Sequence, residues 1–308
     1  MGSQLRVLVW TTAETSAAAA IEQVFREFDR LEALLSVWQP GSDVVRINDA
    51  AGREPVVVSS DTVAVLEAAA QASEWTGGKF DITFGALAEV WKFDHDQDDT
   101  VPDRQAIAAR LPRVDYRLVE VNRAARTAFI RKAGTRIHLG GIGKGYAVDQ
   151  AAAILRERGF RDFLIQSGGD LYVAGRNGDA PWKLGIADPR GPAGQTFATV
   201  EISDGTFSTS GDYERFFIKD GVRYHHLIDP DTGTPAAGTR SVTIVADGAM
   251  LADVLSTGVF ILGPAQGLAL IEKLPQVEGV IVTATNQVLV SSGLKGRLAI
   301  IAPPIDAP

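Results

Sequence analysis

Residues Leu139–Ala174 read LGGIGKGYAVDQAAAILRERGFRDFLIQSGGDLYVA. A glycine-rich turn opens a helix that runs to about Arg158, and two strand-like runs, Phe163–Gln166 and Asp170–Ala174, follow with no helix between them. Strict βαβ alternation is therefore broken at the centre of the chain, and the pattern extends outward from there. Upstream lie a first strand (Leu5–Val9) and an amphipathic helix, Ala17–Leu35, whose apolar residues from Ile21 to Leu35 fall at 3.6-residue spacing. A second helix covers Asp61–Trp75, with Ser60 as its cap and Gly77-Gly78 as its stop. A short helix within Val101–Pro112 and strands at Arg117–Val121 and Thr127–Arg131 come next. Downstream, strand-like runs continue at Lys183–Ala187, Ala198–Ile202, Arg215–Lys219 and Ser241–Val245. A helix at Ala249–Leu262, another after Pro264, and a hairpin of Val280–Ala284 with Gln287–Val290 complete the pattern. Helices and strands in mixed blocks predict an α+β fold with both strand pairings present. No linker divides the chain, so residues 1–300 read as one domain and 301–308 as a C-terminal tail.

Composition narrows the function classes. The 308 residues carry 30 Lys+Arg against 38 Asp+Glu, a net charge of −8, which argues against broad salt-driven binding to nucleic acid or anionic lipid. There is no cysteine, which excludes disulfides, thiolate metal sites and a cysteine nucleophile. The fairly apolar stretch Val254–Ile271 holds Gly263-Pro264 and reads as two helix pieces around a turn, not as a membrane span. No charged start and apolar run precede the first strand, so the chain reads as soluble or as the mature part of an exported protein.

Several motifs could carry chemistry, and each has a plainer reading. Glycines ahead of a helix, as in Gly140–Gly145, let an anion approach backbone N–H groups, and Lys144 adds a point charge. The run matches neither the Walker A spacing nor G-x-G-x-x-G, and a tight strand-to-helix turn explains it equally well. Asp253, Ser256 and Thr257 share one helix face, an oxygen set that suits a hard divalent cation such as Mg²⁺ or, more plainly, a polar edge on a buried helix. His225-His226 precedes the turn Asp229-Pro-Asp-Thr-Gly233; adjacent strand residues point opposite ways, so at most one histidine faces a site as a proton shuttle. Ser208-Thr-Ser-Gly211 supplies hydroxyls for phosphate or ribose, or is a polar hairpin loop. Thr76–Gly85 is either a cap and turn or a backbone platform for a ring system.

Taken in order, these motifs closely resemble the bacterial FAD:protein FMN transferases, the ApbE family. The resemblance rests on Met1-Gly2, Phe80-Asp-Ile-Thr83, Leu139–Asp149, Gly168-Gly-Asp170, Ser208–Tyr213, His226–Pro230 with Thr232-Gly233, and Ala252-Asp253 through Thr257. It implies a two-lobed, mixed-sheet, T-fold-like architecture with interleaved lobes. It also implies Mg²⁺-dependent transfer of the FMN half of FAD to a threonine hydroxyl of an acceptor protein, with release of AMP. The acceptor would carry a Ser/Thr-Gly-Ala-Thr-type segment, as respiratory electron-transfer subunits do. The work would be done in the periplasm or at the cell-envelope exterior, with the cytoplasm as the alternative because no export signal is visible in this sequence. Alternatives on the same site are an FAD diphosphatase and a flavin-binding protein without turnover.

By position, the resemblance makes Asp253, Thr257, Ser256 and Gly141 (through its carbonyl) the metal site. Lys144 meets the pyrophosphate, and His226 is the acid/base group, so that His226, Lys144 and Asp253 carry the catalysis. Met1, Trp38, Lys79, Phe80 and Asp81 fall where the family contacts FAD. His138 stands where the family usually has an aspartate and joins the same FAD set, with consequences for flavin or metal affinity.

Overall fold

The computed structural model describes residues 3–307. Its centre is a seven-stranded sheet in the order Leu5–Val9, Phe163–Ser167, Asp170–Ala174, Gly205–Gly211, Thr239–Ala246, Glu278–Thr283, Val288–Val290. Every ladder in it is antiparallel. The expected mixture of pairings reduces, among the described residues, to one isolated parallel bridge, Phe84 with Arg136. The reason is local. Strands 163–167 and 170–174 are joined by Gly168-Gly169 alone, with Gly168 at φ +60°, and so short a loop permits only an antiparallel return.

Alternation along the strands gives the sheet two buried faces. On Thr239–Ala246, Val242, Ile244 and Ala246 join a core shared with the helices Glu14–Leu35, Ser60–Trp75, Gly143–Glu157 and Ala249–Leu262. Val245 points the other way, toward Trp182, Phe197 and Val200 of a three-stranded sheet, Leu298–Ile300/Thr196–Ile202/Trp182–Ala187. The helix Ala249–Leu262 is buried on nearly every side, which explains its almost unbroken apolar sequence. It ends at Gly263, φ +84°, and Pro264 starts the helix to Ile271. Among the described residues no helix is long and apolar enough to cross a membrane.

A smaller lobe has its own core of Leu87, Trp91, Phe93, Ile107, Phe217 and Ile228. The chain enters it twice, once through the 84–114 segment and once through the hairpin Phe216–Lys219/Val222–His225, so the lobes interleave.

Element bounds differ from the sequence reading in instructive places. Ser59, not Ser60, caps the second long helix, its hydroxyl accepting the Thr62 N–H at 3.0 Å. A helix at Asp43–Asp49, capped by Ser42, was not legible in the pattern. The short helix expected within Val101–Pro112 is Arg104–Ala108. Ser208–Gly211 is no hairpin loop; it is the end of a central strand. Residues 301–307 lack regular structure but are tied down: Ile301 N donates to Phe197 O at 2.8 Å and Ile305 N to Asp188 Oδ2 at 3.0 Å.

Candidate active site

Within the glycine run, Gly145 is the position that close packing between elements requires. None of Gly140, Gly141, Gly143 or Gly145 has a positive φ. A Cβ on Gly145 would lie 2.4 Å from Ala249 O and 2.8 Å from Asp253 Cβ. The absent side chain thus lets the helix Gly143–Glu157 cross Ala249–Leu262 with backbones nearly touching. Two sets of hydrogen bonds then fix their register. Gly145 N–H donates to Asp253 Oδ2 at 3.0 Å, and Asp149 accepts the N–H groups of Ala249 and Met250 at 2.7 and 2.9 Å. A carboxylate on the first-turn amides of a helix is a charge-assisted cap.

This crossing builds one wall of a cavity of about 470 Å³ between the two lobes. Lys144 Nζ lies 3.3 Å from Asp170 Oδ2 and 3.7 Å from Asp253 Oδ2, and it donates to Gly140 O at 3.0 Å. Burial alone would lower the Lys144 pKa, but Asp170 and Asp253 outweigh it and hold the ammonium charged. Burial, then the neighbouring Asp170 charge, pushes Asp253 up to about 7. Thr257 lies one turn on from Asp253, and a Cβ on Gly141 would stand 3.4 Å from its hydroxyl. Asp253, Thr257 and the Gly141 main chain therefore meet at one spot.

The strand Gly205–Gly211 supports that spot from behind. Ser208 and Ser210 point toward the helices; Ser208 Oγ donates to Asp170 Oδ1 at 2.6 Å, and Ser210 Oγ lies 2.8 Å from Ser256 Oγ and 3.2 Å from Thr257 Oγ1. Ser256 is placed otherwise than a metal ligand would be. Its hydroxyl is wholly buried, donates to Asp253 O at 2.9 Å, and faces the sheet, so it braces Thr257 through Ser210. Asp170, in the Gly168-Gly-Asp170 motif, is a cavity side chain to which the sequence alone assigns no role. It is buried, and its Oδ2 has no hydrogen-bond donor among the described residues. The signal was present in Gly168-Gly-Asp170, a carboxylate on the inward face at the start of a core strand.

His225 and His226 part as alternation requires. His225 is buried against Phe260, its Nε2 3.1 Å from Ala236 O. His226 lines the cavity with Nδ1 3.3 Å from Arg215 O. A carbonyl can only accept, so Nδ1 carries the proton and Nε2 keeps a free lone pair. Burial, reinforced by Arg215, pushes the His226 pKa well below 6.5. The imidazole is thus a neutral base. His138 lines the same cavity; its Nδ1 accepts the Gly140 N–H at 3.0 Å, and burial pushes its pKa down to about 4.

The remaining expected contacts divide. Trp38, Lys79, Phe80 and Asp81 all line the cavity. Trp38 is half exposed and packs edge-on against His95 at 4.3 Å, at the mouth. Lys79 is held by Asp229 at 2.7 Å and Asp231 at 2.9 Å. Phe80 is buried, its N–H donating to Thr76 Oγ1 at 2.9 Å. Both carboxylate oxygens of Asp81 are engaged: Oδ1 accepts from Thr83 N and Oγ1 of its own turn at 2.7 and 2.6 Å, and Oδ2 from the distant Tyr116 N at 2.8 Å. Asp81 therefore shapes the wall, with both carboxylate oxygens already partnered. The expectation for Met1 lies outside the described residues.

Among charged residues, Glu32, Asp81, Asp94, Asp170, Glu214 and Asp253 line the cavity against only Lys79, Lys144 and Arg215. An anion entering it needs added positive charge. Among the described residues no three His, Cys, Asp or Glu side chains cluster as a metal site. A cation here would be held by carboxylate, hydroxyl and carbonyl oxygen, a donor set that fits Mg²⁺ and disfavours softer ions.

The two-lobed α+β fold thus encloses one acidic, oxygen-lined cavity that holds a partly buried lysine and a neutral histidine. The sequence matches the ApbE family over residues 1–281, and the chain belongs to that family. It is 34% identical over 317 residues to an FAD:protein FMN transferase of Treponema pallidum, spanning 98% of this chain and 87% of that protein. It is 35% identical over 292 residues to one of Klebsiella pneumoniae, spanning 91% and 83%. The ApbE protein of Thermotoga maritima superposes with a TM-score of 0.88 at 34% identity, covering 96% of both chains. The flavin transferase ApbE of Vibrio cholerae does so with 0.86 at 26% identity, again over 96% of both.

Proposed function

We propose that this chain transfers the FMN half of FAD to a threonine hydroxyl of an acceptor protein, with Mg²⁺ required and AMP released. The observation that carries the reading is the fixed tautomer of His226, a neutral base whose free Nε2 belongs to the same cavity as Lys144, Asp253 and Thr257. In the reaction the acceptor oxygen attacks the FMN phosphorus. The anhydride bond to the AMP phosphate breaks, and the hydroxyl proton passes to His226 Nε2. Lys144, kept charged by its two carboxylates, neutralises the pyrophosphate oxygens. Asp253, Thr257 and the Gly141 carbonyl would hold Mg²⁺, which supplies the positive charge that the acidic lining lacks. The hydroxyl brace of Ser208, Ser210 and Ser256 keeps Asp253 and Thr257 in place.

The test separates binding from proton transfer. His226→Ala is expected to bind FAD as the parent does and to lose about 10²–10⁴-fold in transfer rate, the usual worth of a positioned base. Parent-like turnover of that variant overturns the role of His226.

A further inference from the structure

His138 and His226 line the same cavity in opposite tautomers. The Gly140 N–H can only donate, so the His138 Nδ1 that receives it at 3.0 Å is bare. A neutral imidazole with a bare Nδ1 carries its proton on Nε2. That Nε2–H meets no acceptor among the described residues, while the ring lines the cavity. The ring is also held still. It packs on Phe84 at 5.4 Å, and Gly140 lacks the Cβ that would stand 2.8 Å from His138 Cε1. The low pKa of the group agrees with a single neutral form at working pH.

We infer that His138 is a pre-set hydrogen-bond donor that reads an acceptor atom, a carbonyl oxygen or ring nitrogen, on a heteroaromatic ring of the bound dinucleotide. The inference rests on the flavin reading above and makes His138 a determinant of ligand choice. A ligand presenting an N–H or amino group at that point meets a second donor and is rejected. Two rings of FAD offer such acceptors, the isoalloxazine and the adenine, and free riboflavin and ADP each present one of them.

The side chain can be exchanged without disturbing the turn. An aspartate at 138 still accepts the Gly140 N–H, as an Asx turn does, but at neutral pH offers no donor. An asparagine keeps both the acceptor and a donor. The experiment measures dissociation constants of riboflavin, ADP and inorganic pyrophosphate for the parent, His138→Asp and His138→Asn, by fluorescence or calorimetry, without turnover. The expected result is about tenfold weaker binding of riboflavin or of ADP by His138→Asp, the worth of one hydrogen bond. His138→Asn should restore affinity to within about threefold, and pyrophosphate binding should be unmoved. Equal affinities for both ring ligands across the three proteins overturn the inference. So does a loss seen equally with pyrophosphate, which puts the donor on phosphate. A parent protein that binds neither FAD nor riboflavin overturns the functional reading instead.

Discussion

Gly145→Ala is the smallest change that should uncouple the fold from the chemistry. The added methyl would sit 2.4 Å from Ala249 O, 2.8 Å from Ala249 C and 2.8 Å from Asp253 Cβ. Ordinary carbon contacts lie at about 3.5 Å, so the two helices must part by about 1 Å. The obstructing atoms are backbone and a Cβ, which no side-chain rotation can move. The separation stretches the Gly145–Asp253 bond and the two Asp149 bonds to the Ala249 helix at the same time. Overpacking of this kind costs about 1–3 kcal/mol, offset by about 0.4–1 kcal/mol from the stiffer unfolded chain, for a net loss of about 1–2 kcal/mol. Displacing Asp253 by about 1 Å should lower transfer about 10²-fold. Urea denaturation gives the first quantity, and the rate of acceptor labelling at saturating FAD and Mg²⁺ gives the second. Gly143→Ala is the control. Its Cβ would meet only Leu35 Cδ1 at 4.0 Å, and stability should hold or rise slightly. A Gly145→Ala protein as stable and as fast as the parent refutes the close crossing as the device that places Asp253.

Other consequences follow from the same geometry. Asp253→Ala should keep its fold by circular dichroism and lose Mg²⁺-dependent transfer, and activity that survives with Mg²⁺ still required contradicts the metal assignment. Because Asp253 is pushed up to about 7, protons compete with the ion; the Mg²⁺ needed for half-maximal rate should rise about fivefold from pH 7 to pH 6. The sign for His226 is the reverse of a problem at neutral pH. Its pKa is lowered, so the base form persists as pH falls and is lost only well below 6.5; at saturating Mg²⁺, an acid limb centred at or above 6.5 speaks against it. Arg190 and Asp212 form a doubly hydrogen-bonded pair at 2.7 and 2.8 Å, both side chains only 8% exposed. Asp212→Ala strands a buried guanidinium and should cost about 3–5 kcal/mol in urea unfolding, whereas removing both charges with apolar residues should cost less.

Much of the fold could be read from periodicity where the core decides the residues. The long helices and the strands at 5–9, 163–167 and 170–174 are apolar on the face that packs, and the pattern reports it directly. The central strand Gly205–Gly211 escaped for a physical reason. Its inward Ser208 and Ser210 face a carboxylate and hydroxyls of the site, and Thr206 caps backbone carbonyls of Ala246 and Gly248, so the strand has the composition of a loop. The Asp43–Asp49 helix is one short segment whose stability comes from tertiary ties, among them Asp43 Oδ2 accepting from Ser59 N at 2.8 Å and Thr62 Oγ1 at 2.7 Å. Such ties across sixteen or more residues leave no local trace.

The site shows the same division. The shared helix face of Asp253 and Thr257 was legible from spacing, and so was the opposite orientation of His225 and His226. The role of Gly145 was not, because a glycine needed for a close approach looks in sequence like one needed for a phosphate. Ser256 shares the helix spacing of the ligand face, yet its hydroxyl faces the sheet, a distinction that only the position of Ser210 reveals. Asp170 becomes part of the site only when the hairpin brings it beside Lys144.

The central claim is a group transfer, and the most direct measurement follows both products at once. Purified protein is incubated with FAD, Mg²⁺ and an acceptor carrying a Ser/Thr-Gly-Ala-Thr-type segment; AMP is quantified and the acceptor weighed by intact mass spectrometry. The account predicts one FMN adduct on the acceptor threonine for each AMP released, and neither product when Mg²⁺ is chelated. AMP and free FMN with the acceptor unmodified, or bound FAD that yields no product, would contradict it.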